Sequence, residues 1–149
     1  MSPVSAVDGF VINSDTVTQS VIDRLRTNQD VTGLAEVYYG DPGAIPVYPA
    51  AVVEPMPKTR DLVGTHRFEI NFLTVITIIA GRVDDPNIIR KEVQQQAEAV
   101  EKVLMDDPYY NNTLIFSYVT RLEPGQLLRS DVMHRAVRLL WTAQSREEF

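Results

Sequence analysis

The stretch Thr65–Ala80, THRFEINFLTVITIIA, constrains the fold more than any other part of the chain. Period-2 alternation sets Phe68, Ile70, Phe72, Ile76 and Ile78 on one face of a strand. The opposite face begins polar, with Arg67, Glu69 and Asn71, and turns apolar at Leu73, Val75 and Ile79. A strand apolar on both sides needs cover on both sides. The rest of the sequence offers two helices, enough for one of them. The spare surface is therefore expected to meet another protein chain, or to lie under a loop or the N-terminal arm. Left bare, LTVITII would be an aggregation hazard.

The elements on either side follow from capping, periodicity and breakers. Residues 1–13 read as an arm. A helix is expected from Ser14 or Asp15, both good N-caps, with Val17, Val21, Ile22 and Leu25 as its buried stripe. Asn28 and the TNQD segment end it, and Gly33 follows. Five prolines lie between Pro42 and Pro57, so AIPVYPAAVVEP reads as an edge strand over about 45–54. Residues 55–64, with Lys58 and Arg60, read as a loop before the long strand 66–80, which Gly81 ends. Asp84 or Asp85 caps a second helix with Pro86 at its first position. Its buried stripe is Ile89, Val93, Ala97, Val100 and Leu104, and Asp106, Asp107 and Pro108 stop it. Tyr109–Thr113 is turn chemistry. A strand over 113–122, a turn at Glu123–Gln126, a strand over 131–145 and a frayed REEF tail complete the chain. The expectation is a single α+β domain over 1–149 in the order α-β-β-α-β-β. Its sheet would be mainly antiparallel and four-stranded, with two helices packed on one face.

Composition narrows the chemistry. A net charge of −6 argues against a broad phosphate-binding surface. With no cysteine, disulfides, thiolate metal sites, Cys nucleophiles and iron–sulfur clusters are excluded. No signal-peptide pattern is visible in MSPVSAVDGF, and the apolar run at Val75–Ala80 is too short to span a bilayer. His66 and His134 lie on different expected strands, and neither has a second ligand at i+2 or i+4 spacing. Asp84–Asp85 and Asp106–Asp107 sit at helix boundaries, where capping and turn roles account for them. No G-x-S-x-G elbow or Gly-rich phosphate loop is present. No catalytic, metal or cofactor site is expected, and no cofactor. Tyr38, Tyr39, Tyr48, Tyr109 and Tyr110 fall in or beside loops, where tyrosines serve interfaces or anchor the loop itself.

Taken together, SDTVTQSVIDRLR, IPVYPAAVVEP, HRFEINFLTVITIIAG, IIRKEVQQQAEAVEKVL, TLIFSYVTRLEPG and HRAVRLLWTAQ resemble, over nearly the whole chain, a bacteriophage tail-terminator protein, of the tail-completion or head–tail joining type. The resemblance implies a non-enzymatic virion protein, assembled in the host cytoplasm, that forms a homo-oligomeric ring, usually a hexamer, at the head-proximal end of the tail. The ring would cap the tail tube, stop its polymerisation and join it to the head connector. The implied partners are other copies of the chain, the tail tube protein and head connector or neck proteins. DNA would pass through the lumen without specific binding, and no membrane is involved. Expected contact residues are Lys58 and Arg60, the face of Leu73, Val75 and Ile79, and the group Tyr109, Tyr110 and Asn111. The proline density of 42–57 exceeds that of a paired strand and suits an arm reaching a neighbouring subunit. The alternatives are another neck, head-completion or sheath-interacting adaptor and, more remotely, a small α+β hydrolase using His66 or His134 with a nearby Asp.

Overall fold

The computed structural model describes residues 13–81, 86–107, 116–129 and 132–148. Among them are helices α1 (Ser14–Thr27), α2 (Gln29–Thr32) and α3 (Pro86–Met105). The strands are β1 (Glu36–Tyr39), β2 (Ala50–Pro55), β3 (Thr59–Gly64), β4 (Arg67–Ile79), β5 (Phe116–Arg129) and β6 (Val132–Glu148). The sheet runs β1-β2-β4-β6-β5, and β3 also pairs with β4. β1 is parallel to β2, and every other pairing is antiparallel.

This corrects the expected four-stranded, mainly antiparallel sheet with two helices on one face. The sheet is mixed and six-stranded, and there are three helices among the described residues. Residues 55–64 are mostly strand, not loop. β2 and β3 line the same edge of β4, and only Met56, Pro57 and Lys58 separate them. Prolines have no N–H to give a ladder. Met56, which does, donates to the Leu73 carbonyl at 2.8 Å, so one long edge is interrupted without being lost. Strand β2 starts at Ala50, later than expected, and residues 41–49 form a strap. β1, four residues long, falls where no element was expected. Glu123–Gln126 is not a turn but part of β5, an edge strand where a proline is tolerated. The tail does not fray at residue 146, because Arg67 pairs with Glu148.

Local chemistry explains the helices. Asn13, rather than Ser14 or Asp15, is the N-cap of α1, its Oδ1 accepting from the Thr16 N–H at 2.8 Å. The Arg26 guanidinium donates to the Val37 carbonyl at 2.9 Å and ties the last turn of α1 to β1. Gly33, at φ 78°, closes α2 in the left-handed region that other residues resist. The capping of α3 falls outside the described residues. Val93, Ala97, Val100 and Leu104 of α3 join Val17, Val21, Ile22 and Leu25 of α1 in one core with Ile70, Phe72, Ile76 and Ile78 of β4. From β6 come Val137, Leu139, Trp141 and Ala143. Both long helices thus seal the same, inner face of the sheet. Each large aliphatic buried there contributes roughly 1.5–3 kcal/mol before entropic costs. No helix among the described residues is long and apolar enough to cross a membrane.

Candidate interaction surface

The outer face is carried by the positions that alternate with this core. Register fixes its rows. Glu54, Val75, Leu140 and Arg121 stand in one row across β2, β4, β6 and β5. Leu73, Thr142 and Tyr118 form the next, and Asn71, Gln144 and Phe116 the one after. In the other direction come Val52, Thr77, Arg138 and Glu123, then Ala50, Ile79, Ala136 and Gly125.

The two ends of this face are covered differently. Ala50, Val52, Ile79 and Ala136 are buried, yet they stand apart from the main core cluster. The strap overlies that end. Tyr48 stacks on His134 with ring centroids 4.8 Å apart. The Arg129 guanidinium grips Asp41 through two bonds of 2.8 and 3.0 Å and donates to the Gly43 carbonyl at 3.0 Å. Together with the Gly43 N–H, Arg129 holds the Asp41 carboxyl below its ordinary value. His134 Nδ1 lies 2.8 Å from the Ala80 carbonyl, and since a carbonyl only accepts, that nitrogen carries the proton. A cleft of about 360 Å³ remains between Ile45, Tyr48, Arg129 and His134.

At the other end Leu73, Val75, Leu140 and Thr142 are only half-buried, and Phe116 and Tyr118 are exposed, their rings 5.8 Å apart. Charged side chains border this patch without covering it. Arg121 and Glu123 form a salt bridge of 2.5 Å, and Glu54 stands exposed on the opposite edge.

The candidate contact residues therefore divide. Leu73 and Val75 lie together on the half-open patch. Ile79, at 1% exposure, is enclosed by its own chain at the strapped end. Lys58 and Arg60 belong to the inner face. The Lys58 ammonium lies 5.6 Å from the Phe72 ring centroid, and the Arg60 guanidinium lies 5.6 Å from that of Phe68. Those contacts shield aromatic edges of the core. Tyr109, Tyr110 and Asn111 lie outside the described residues. Leu140, Phe116, Tyr118, Glu54 and Arg121 complete the patch and were not singled out from the sequence. Their signal was the alternation within β5 and β6, legible only once the register with β4 is known.

The two histidines do not share a site. His134 is buried at the strapped end, whereas His66 lies before the first residue of β4, a strand of 13 residues. At the usual rise per residue, the strand between them is roughly 40 Å long. Among the described residues no three His, Asp or Glu side chains gather in a group able to hold a metal ion.

No protein-family model matches the chain, and no curated protein sequence matches it. Among solved structures it is similar to a chain of the virion of a native gene transfer agent (GTA) particle. The TM-score is 0.58 and the identity 17%, and the likeness covers 88% of this chain and 95% of the other. At that identity the likeness is one of fold.

Proposed function

We propose that this chain is a non-enzymatic structural protein of a phage virion, and specifically that it acts as a tail terminator. Copies would close into a ring, with six as the expected number, at the head-proximal end of the tail. One ring surface would match the tail tube and the other the head connector. A ring whose far side does not reproduce the tube's own surface stops polymerisation there.

The observation that carries the reading is the fold likeness to a GTA virion chain over nearly the full length of both chains. Fold alone does not dictate function, so the half-covered outer face matters as independent support. Among the described residues Leu73, Val75 and Leu140 are incompletely covered, and docking of another chain on that face would complete their burial. A head-to-tail contact closes into a ring when its rotation permits.

The test is to incubate purified tail tube protein with this chain during tube assembly and to image the products. A terminator yields tubes of limited length with a ring at one end. Tubes that grow unimpeded, beside a protein that binds head connectors instead, would make it another neck component.

A further inference from the structure

The edges of the sheet carry complementary side chains at matching heights. Along β4, Val75 marks one height. At that height Glu54 stands on the β2 edge and Arg121 on the β5 edge, because Glu54 pairs with Val75, Val75 with Leu140, and Leu140 with Arg121. Leu73 marks the next height on the same face. There the Met56 N–H bonds the Leu73 carbonyl on one edge, and Tyr118 reaches the same row through Thr142 on the other. All four side chains are open to solvent: Met56 is 42% and Tyr118 38% exposed, the Arg121 side chain is 64% exposed, and Glu54 is exposed too.

Copies related by rotation about an axis running along the strands meet edge to edge at equal heights. Arg121 of one copy then meets Glu54 of the next, and Tyr118 meets Met56. An acid faces a base and an aromatic faces a thioether, both favourable pairings. Arg121 already bonds Glu123. Its five donors let it serve a second carboxylate. The other charged groups facing this row are Glu123 and Arg138, which oppose each other across β5 and β6. On the β2 side, β1 ends at Tyr39, opposite Val53, and the Gly40 N–H still bonds the Val53 carbonyl at 2.9 Å; Gly40 has no side chain to cover its neighbour, and the Glu54 side chain beside it is exposed. Pro55 and Pro57 follow, and they deny the next copy a continuous backbone ladder. The contact is therefore made by side chains and does not turn into open-ended strand pairing.

We infer that copies of this chain associate side by side, with the Arg121–Tyr118 edge of one against the Glu54–Met56 edge of the next. This rests on the ring reading above and names the surfaces that would make the ring.

Charge reversal tests it. Glu54→Arg and Arg121→Glu each place like charges at the contact. Each alone is expected to raise the concentration for half-assembly by roughly tenfold or more, measured by light scattering on size-exclusion fractions. Circular dichroism should show the fold unchanged, since both side chains are exposed. The double variant, and an equimolar mixture of the two single variants, should assemble like the wild type, because every contact again pairs opposite charges. If wild-type protein assembles and the single variants assemble equally well, the edge assignment fails while the ring reading stands. Single variants that disperse with no rescue by mixing or by the double variant also overturn the pairing. A wild-type chain that is a monomer at every concentration, with and without tail tubes, overturns both.

Discussion

The two ends of the outer sheet face differ in cover, although they share strands and a side-chain parity. At one end Ile79 and Ala136 are buried, and Arg129 and the Tyr48–His134 stack hold the strap at that end. At the other, Leu73, Val75 and Leu140 sit half-open beside exposed Tyr118 and Phe116. Among the described residues, what separates the two ends is the strap of residues 41–49, whose stack and ion pair lie at the first. A two-faced strand therefore implies missing cover only where no local segment returns over it.

The largest expected effect contrasts the two ends directly. Ile79→Ala empties a fully buried position and should cost about 2–5 kcal/mol of unfolding free energy. Leu73→Ala, on the same face of the same strand, should cost only about 1 kcal/mol in dilute protein, since half the side chain is already wet. Urea denaturation of both variants checks this, and equal losses would erase the distinction between the ends. Next in size, Tyr48→Ala removes the stack on His134 and should cost about 1–2 kcal/mol. Hydrogen exchange should then quicken at the Ala80 N–H, which bonds the carbonyl of Arg135 next to His134, and stay unchanged around Leu73. A uniform change along β4 would mean that the strap does not act locally.

The smallest effect is one of pH. The Arg129 guanidinium and the Gly43 N–H depress the Asp41 carboxyl below its ordinary value of 3.8. A depressed folded-state value means that this stabilisation is complete above the unfolded carboxyl's titration. It is lost as the pH falls through the folded-state value, that is, in acid below 3.8. Asp41 is 55% exposed, so water screens the pair and the loss is slight. Near-ultraviolet circular dichroism of the tyrosines should show a small acid transition in the wild type that is missing from Asp41→Asn.

How much of this was legible follows from the same physics. The inner stripe of β4 and the stripe of α1 read directly from their periods, because each buries one face against a single core. The half-open patch was visible in part, through the apolar turn of the odd positions at Leu73 and Val75. The fate of Ile79 was not, since it depends on where a proline-rich segment folds in three dimensions. β3 was hidden because TRDLVG is exposed throughout and shows no apolar alternation, and because Pro55 and Pro57 resemble loop signals. β1 was hidden by its length of four residues. Pro124 and Gly125 resemble a turn in any sequence, and only the edge position of β5 makes them tolerable within a strand. That Lys58 and Arg60 lie over aromatic rings was not legible, because such a contact leaves no local signature in sequence.

The most direct test is the solution mass of the wild-type chain by light scattering over a wide concentration range, with and without tail tubes. Multiples of the single-chain mass, accompanied by slowed hydrogen exchange along Glu54–Met56 and Tyr118–Arg121, are the predicted result. A single-chain mass under every condition, with those two edges exchanging alike throughout, would contradict it.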